Sequence, residues 1–361
     1  MTNVSSAPLG LALIGCGGMA TNYRDNYADL PGTVYRLVVD VNEEVARATA
    51  ETLHVERFST NWRDALAPDI DFADISTPNH LHREQAVALL EAGKHVLLQK
   101  PLAPTIADCQ AIVHAAQTAN RLAGVYMSDL EDPIVWDLRN LVHNNYLGRV
   151  SEVRGRYAHR GGLTAKPTEA NWRGSAEKTG GGSFIQLSLH HTNLLSWILG
   201  AEIDSVMAYS QNLVCPQIGG DDMTACVCAF DNGIFGLFDS SWNADGQGIE
   251  LYGTEGSVKM HGGQGAGLTV QTNRPFTGRI IQTSDSKPTS IAPSGTMREQ
   301  CQPHNPLNQH RAFVHAIQNG LPAPVGVETG LRDVAVAKAV YASARDGRRV
   351  NVDDVLQGVT L

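Results

Sequence analysis

Two side chains combine useful chemistry with a telling position, Lys100 and His190. Lys100 follows the apolar run His95-Val96-Leu97-Leu98-Gln99 and precedes Pro101-Leu102-Ala103. A strand of a parallel sheet presents its carboxyl end to the ligand crevice, so an ammonium placed there faces a ligand rather than bulk water. His190 lies in the pattern Gln186-x-x-x-His190-x-x-Asn193, spaced so that all three share one face of a helix. Imidazole titrates near neutrality, which suits it to general-base work on a hydroxyl. The preceding Gly180-Gly181-Gly182 permits backbone that side chains would block, and is read as letting a cofactor or sugar come close. His191 is rotated off this face and reads equally as core packing or as a pocket wall. The plainer alternative makes Lys100 a strand-end cation and Gln186, His190 and Asn193 a polar helix face stitched to a sheet.

A second constellation surrounds Gly15-Cys16-Gly17-Gly18-Met19-Ala20, between a short apolar strand (Leu9 to Ile14) and a helical stretch (Met19 to Leu30). Gly15-x-Gly17-x-x-Ala20 is the spacing of a dinucleotide-binding turn, with glycines for the tight bend and a helix amino end for the pyrophosphate. Asp40 closes the second strand, Tyr35 to Val39, where its carboxylate can accept from both ribose hydroxyls, with Val41 beside it. A carboxylate there repels a 2′-phosphate, so the expected cofactor is NAD rather than NADP. Ser76-Thr77-Pro78-Asn79-His80-Leu81-His82 ends another strand and offers hydroxyls and an amide to the pyrophosphate and nicotinamide ribose, with Pro78 fixing the bend. It also reads as a helix start capped by Thr77 or Asn79, with solvated histidines. The expected cofactor contacts are completed by His82, Gln99, Lys100, Pro101, Trp172 and Arg173. Trp172 can pack on a ring and Arg173 can bind an anion bidentately, although a core Trp with a surface Arg fits as well. Tyr126, Tyr157, His159, Arg160 and, from a late loop, His304 are the remaining candidate substrate contacts beside Lys100, Gln186 and His190.

Strands and helices alternate up to about residue 127: Glu43 to Thr52, His82 to Ala92 and Thr105 to Asn120 as helices, Phe72 to Ser76, His95 to Leu98 and Leu122 to Met127 as strands. This rhythm predicts a parallel, doubly wound Rossmann α/β domain over residues 1–127. From 128 to 361 a helix (Asp132 to Asn144) precedes longer alternating strands: Val150 to His159, Ile203 to Leu213, Met223 to Phe230, Ile234 to Ser241, Gly248 to Tyr252 and Ser257 to Met260. Asp231-Asn232-Gly233 marks a hairpin. The stretches His261 to Gly267 and Thr277 to Ser294 read as mobile loops. His310 to Gln318 and Thr329 to Arg345 read as closing helices, free to pack back on the N-terminal domain.

Composition bounds the function. The 361 residues carry a formal net charge of -9, with 42% hydrophobic and 18% charged residues, as in a soluble enzyme and unlike a nucleic-acid binder. No apolar run reaches membrane-spanning length, and the first residues lack the basic start and apolar stretch of a signal peptide, so the expected location is the cytoplasm. The six cysteines show neither a C-x-x-C pair nor a disulfide spacing, and adjacent histidines on a helix diverge, so no metal site is expected.

Taken in order, these motifs resemble the glucose-fructose oxidoreductase and inositol dehydrogenase family, the Gfo/Idh/MocA oxidoreductases. The resemblance runs from the glycine turn and Val39-Asp40-Val41-Asn42 through Ser76 to His82 and Gly93 to Ala103. It continues in Trp172-Arg173, Gly180-Gly181-Gly182, His190 and Tyr252-Gly253-Thr254-Glu255-Gly256. It implies an N-terminal NAD-binding Rossmann domain and an α+β C-terminal domain whose open, mostly antiparallel sheet carries a sugar or inositol pocket and helps to build a homodimer or homotetramer. The family usually has Glu-Lys-Pro where this chain has Gln99-Lys100-Pro101. It usually has Asp-x-Gly-x-His-x-x-Asp where this chain has Gln186-x-Ser188-x-His190-x-x-Asn193.

In the family an Asp and a His work with the Lys. Gln186 can hydrogen-bond but cannot take a full proton, so the expected base is His190, with Lys100 holding the reacting oxygen. Loss of neighbouring carboxylates is expected to favour the neutral forms of both. The leading expectation is an NAD-dependent dehydrogenase acting on a secondary ring hydroxyl of a sugar, glycoside or inositol. One alternative is an NAD-dependent glycoside hydrolase working by transient oxidation, elimination, water addition and re-reduction. Another is a sugar- or NAD-binding relative without catalysis.

Overall fold

Strands of a parallel sheet are covered on both faces and so read as unbroken apolar runs. Leu11-Ala12-Leu13-Ile14 is such a run, each residue no more than 1% exposed. The computed structural model describes residues 8–23, 27, 30, 32–165, 171–262, 267–284, 288–291 and 308–359. It divides into one unit of Met1–Met127 with Pro303–Leu331 and another of Ser128–Gln302 with Arg332–Leu361.

In the first unit, β1 (Leu9–Ile14), β2 (Thr33–Val39), β3 (Phe58–Ser59), β4 (Phe72–Ile75), β5 (His95–Gln99) and β6 (Ala123–Tyr126) form one parallel sheet in the order β3-β2-β1-β4-β5-β6. Register matters more than order here. Ile14 pairs with Val39 and with Ile75, Ile75 pairs with Leu98, and Gln99 pairs with Tyr126. The residues following each strand therefore share one edge. The connecting helices are α1 (Gly18–Tyr23), α2 (Glu43–Leu53), α3 (His82–Glu91) and α4 (Ile106–Ala119), with Asn42 capping α2 and Thr105 capping α4. The remainder of the expected helix Met19 to Leu30 falls largely outside the described residues. The two-residue β3 was not anticipated, because two residues carry no period.

The second unit is built on a nine-stranded sheet. Most of its strands are β7 (Val150–Ala158), β8 (Ile203–Gln211), β9 (Met223–Phe230), β10 (Phe235–Ser241), β11 (Gly246–Gly253), β12 (Ser257–His261) and β13 (Leu268–Gln271). A separate hairpin pairs β14 (Phe276–Thr277) with β15 (Gln282–Thr283), while β16 (Thr289–Ile291) and β17 (Val350–Asn351) complete the main sheet. Its order is β16-β13-β12-β11-β7-β10-β9-β8-β17, antiparallel except for the β7–β10 pair. The loop expected from Thr277 to Ser294 is thus corrected: among its described residues it contains a hairpin and an edge strand, each too short to show alternation. The other helices are α5 (Pro133–His143), α6 (Ala176–Thr179), α7 (Leu189–Leu199), α8 (Gln309–Asn319), α9 (Val327–Asp346) and α10 (Val352–Leu356). Of these, α8 belongs to the first unit and the unit boundary falls within α9.

Period-two alternation gives the large sheet one packed and one open face. Val206, Ala208, Cys226, Cys228 and Phe238 are buried, while Met207, Tyr209, Val227, Phe235 and Leu237 are exposed. The five described cysteines are free and buried, and burial pushes the Cys226 thiol up to about 12. Among the described residues no helix is long and apolar enough to cross a membrane.

Burial also depresses four imidazoles: His82, His95 and His191 (both to about 4), and His310 (to about 3). His310 is fully buried in the first unit, packed edge-on to Tyr27 and tilted on Tyr126. A folded-state value below the ordinary imidazole value of about 6.5 means that the unfolded chain binds more protons below that pH. The stability held by a neutral His310 is therefore complete above about pH 6.5 and is lost as the pH falls towards 3. His310→Phe is expected to gain on the wild type over this window by up to about 1.4 kcal/mol per pH unit. Urea unfolding at a series of pH values checks this, and a pH-independent difference between the two proteins would sink the assignment.

Candidate functional site

The shared edge of the parallel sheet gathers the cofactor candidates of the first unit. Gly15 has φ +90°, and a Cβ there would sit 2.8 Å from the carbonyl carbon of Ser76, so the turn excludes any side chain at that position. Gly17 and Gly18 face open space. The carboxylate of Asp40 ties this turn to β2: Oδ2 accepts from the Cys16 N–H (2.9 Å) and Oδ1 from the Asn42 N–H (2.9 Å). Each oxygen keeps a second lone-pair direction for a hydroxyl donor. Beside it the Val41 side chain is 88% exposed, an apolar face left open at a polar edge. Met19 packs on the hydrophobic core and Ala20 is wholly buried, so these two shape the turn from beneath.

Further along the edge, Thr77 donates to Gln85 (2.7 Å), Pro78 precedes the 3-10 turn Asn79–Leu81, and Asn79 is buried. The Ser76 hydroxyl and the Gln99 Nε2 are buried with no hydrogen-bond partner among the described residues. Such orphaned donors at strand ends suit a ligand that brings its own acceptors. Lys100, half-buried, follows β5 directly and is joined to Pro101 by a cis peptide.

Two candidates of this unit are corrected. His82 is wholly buried: its Nδ1 lies 3.1 Å from the carbonyls of both Pro101 and Leu102, and its Nε2 3.0 Å from that of Thr77. The ring packs between two loops, donating to the carbonyls on one side only, and presents no exposed edge to a cofactor. Tyr126 is only 7% exposed, packed among Phe72, Leu97, Phe313 and His310, so it belongs to the core rather than to a pocket.

In the second unit the glycine run is held by the protein itself. Asp221 accepts from the Gly182 N–H (2.8 Å), the Phe184 N–H (3.1 Å), the Ser183 hydroxyl (2.7 Å) and the Thr224 hydroxyl (2.7 Å). The Tyr341 hydroxyl accepts from the Gly182 and Ile185 N–H groups, both at 3.2 Å. A Cβ on Gly181 would lie 2.4 Å from the Tyr341 ring, and one on Gly182 would lie 2.0 Å from the Asp221 carbonyl oxygen. The close approach that these glycines permit is to Tyr341 and Asp221, which corrects the expectation of a ligand there.

This clamp starts a π turn, Phe184–Ser188, that runs into α7. A π turn carries more residues per turn than an α-helix, so Gln186, inside it, is rotated relative to His190 and Asn193, which both lie on α7. Asn193 donates to the buried Asp333 (2.9 Å), whose carboxyl is pushed well above the ordinary range by burial. Gln186 is 7% exposed. The His190 side chain is 11% exposed, its Nδ1 lies 2.7 Å from Oδ2 of Asp129, and its ring stacks on Tyr157 with centroids 5.3 Å apart and an interplanar angle of 21°. The expectation that His190 has no carboxylate beside it is overturned.

Asp129 escaped the sequence reading because Asp129-Leu130-Glu131-Asp132-Pro133 looks like a helix approach, and Asp132 does cap α5 through the Ile134 N–H (2.9 Å). Its position just past the last parallel strand was the available signal. Asp129 and Asp132 line a cavity of about 360 Å³ with Ser128, Tyr157, His191 and Gln247. Burial raises the Asp132 carboxyl, with Asp129 and Asp137 adding to the effect, and burial holds His191 near 4 as a neutral pocket wall.

The remaining candidates lie elsewhere in this unit. His159 accepts from the Gly161 N–H (2.9 Å) and caps a 3-10 turn, while Arg160 is exposed in an ion pair with Asp245 (3.2 Å). Arg173 lies 4.5 Å over the ring of Trp172, so these two are partners of each other. His304 lies outside the described residues.

A glycine turn at the switch point of a doubly wound sheet, an acid closing the second strand and a mostly antiparallel second sheet define a dinucleotide-dependent oxidoreductase. The sequence model described as "Oxidoreductase family, NAD-binding Rossmann fold" matches residues 9–127, and that described as "Oxidoreductase family, C-terminal alpha/beta domain" matches residues 139–352. The chain belongs to the Gfo/Idh/MocA oxidoreductase family and binds NAD. It is 28% identical over 286 residues to levoglucosan dehydrogenase of Pseudarthrobacter phenanthrenivorans, covering 69% of this chain and 73% of that protein. It is 22% identical over 353 residues to myo-inositol 2-dehydrogenase of Thermotoga maritima, covering 96% and 99%. The solved structure of a levoglucosan dehydrogenase in complex with NADH and levoglucosan aligns with a TM-score of 0.83 at 25% identity, over 96% of this chain and 99% of that one.

Proposed function

We propose that this protein is an NAD-dependent dehydrogenase that oxidises a secondary ring hydroxyl of a sugar, glycoside or inositol, with His190 as the base and Lys100 holding the reacting oxygen. The observation that carries this reading is the setting of His190, fixed by Asp129 and Tyr157, both of which line a cavity of monosaccharide scale. NAD, when bound, supplies the hydride acceptor. The chain's own residues handle the proton: the hydroxyl O–H breaks as the imidazole forms a new N–H bond, and Lys100 holds the oxygen on which charge grows. Gln186 donates to or accepts from the sugar without taking a proton. Levoglucosan and inositol dehydrogenases among the relatives favour cyclic polyols as the substrate class.

Cofactor contacts in this reading come from Gly15, Gly17, Gly18, Asp40, Val41, Ser76, Thr77 and Gln99, with Asp40 receiving the ribose hydroxyls. The open face of the nine-stranded sheet supports assembly into a homodimer or homotetramer. Met207, Val227 and Leu237 form one row across three strands, and Tyr209, 81% exposed, continues the patch.

Four outcomes are expected. A screen of levoglucosan, inositols, free sugars and aryl glycosides with NAD should yield NADH without released aglycone, and His190→Ala should lower turnover at least about tenfold. Aglycone release at catalytic NAD without net NADH would favour the hydrolase instead, and undiminished turnover in the variant would remove His190 from the chemistry. Asp40→Ser should raise the NADP-to-NAD ratio of kcat/KM by at least about tenfold, a change of about 1.4 kcal/mol, and a ratio like the wild type's would reject the ribose role. Tyr209→Asp combined with Met207→Asp should reduce the sedimentation coefficient towards that of a monomer, which an unaffected assembly would contradict.

A further inference from the structure

We propose that Asp129 is the carboxylate partner of His190 during proton transfer, supplying from the turn after β6 the acid that the family pattern carries at position 186, where this chain has Gln186. The inference rests on the reading of His190 as the base.

The contact is well defined. Asp129 Oδ2 lies 2.7 Å from His190 Nδ1, and the two side chains are 20% and 11% exposed. A carboxylate at Nδ1 fixes the tautomer with the proton on Nδ1 and leaves Nε2 as the nitrogen that receives the substrate proton. It also stabilises the imidazolium formed when the hydroxyl O–H bond breaks and the Nε2–H bond forms. Asp129 keeps its own charge throughout: it accepts the Nδ1–H hydrogen bond and takes no proton. The pair of electrons left on the oxygen closes the carbonyl as the C–H hydride passes to NAD, so the step balances.

Among the described residues, Tyr157, His191 and Asp132 beside the pair fit this division of labour. Tyr157 stacks on the His190 ring, and burial, then Asp129, raises its phenol, so it stays neutral. His191, tilted on the same tyrosine, is held near 4 by burial and is neutral as well. Asp132 shares the cavity with its carboxyl raised by burial. The turn carrying Asp129 is anchored by the Trp136 indole N–H, which donates to the Leu130 carbonyl (2.9 Å).

A positioning role of this kind is tested on the NAD-bound full chain with Asp129→Asn and Asp129→Ala. The first readout needs no substrate. In protein carrying 15N-labelled histidine, with the His190 signals assigned from His190→Gln, the neutral wild-type ring should carry its proton on Nδ1. Both Asp129 variants should bind the second ring proton at least about tenfold more weakly. With levoglucosan and myo-inositol, Asp129→Asn should lower kcat at least about tenfold, hold KM within about threefold and move the acid limb of the pH profile to lower pH. An unchanged tautomer and titration of His190 in both variants would overturn the proposal even with His190→Ala inactive. Full turnover in His190→Ala would instead reject the base reading, and the ring titration would still decide whether Asp129 governs the imidazole.

Discussion

Much of this molecule hangs on one steric constraint, the contact between the glycine turn and the end of β4. Gly15 has its Cα so close to the Ser76 carbonyl carbon that a Cβ would collide with it at 2.8 Å. Parallel registry brings the strand ends level, and the missing side chain lets the turn fold flat against them. With the turn in place, Asp40 reaches the Cys16 N–H, Ser76 and Gln99 stand beside one another along the edge, and Lys100 follows them. His82 fills the space beneath the same edge, its ring nitrogens 3.0 to 3.1 Å from the carbonyls of Thr77, Pro101 and Leu102.

The second unit solves a different problem, delivering an imidazole at a fixed height above a sheet. Asp221 and Tyr341 collect the N–H groups at the start of the π turn, which would otherwise be buried without partners. The turn then sets the rotation at which α7 begins, and with it the direction of His190 towards Asp129 and Tyr157. Asn193, one turn on, is drawn inward by Asp333.

Local chemistry was legible in the sequence and distant pairing was not. The apolar runs, the glycine turn, Asp40 and the Asp231-Asn232-Gly233 hairpin each depend on neighbours within a few residues, so their signals survive in a string. The partner of His190 lies 61 residues away, that of Asn193 lies 140 away, and the hydroxyl holding Gly182 lies 159 away. The glycine run was misread for this reason, since Tyr341 closes the space that a ligand was expected to use. His82 and Tyr126 were misread for another: spacing places a residue at a strand end without saying which way its ring turns. Resemblance to a family supplied the pattern at 186, 190 and 193, but pattern alone left the missing acid as a simple loss.

The double use of Asp40 has an evolutionary corollary. Both of its oxygens already anchor backbone, one holding the turn at Cys16 and the other the start of α2 at Asn42. A drift to a smaller or neutral residue would free the turn at the same moment as it relaxed selectivity. A lineage changing its dinucleotide must therefore find a new anchor for the Cys16 N–H first or together, which makes the acid at position 40 harder to exchange than its place at the sheet edge suggests.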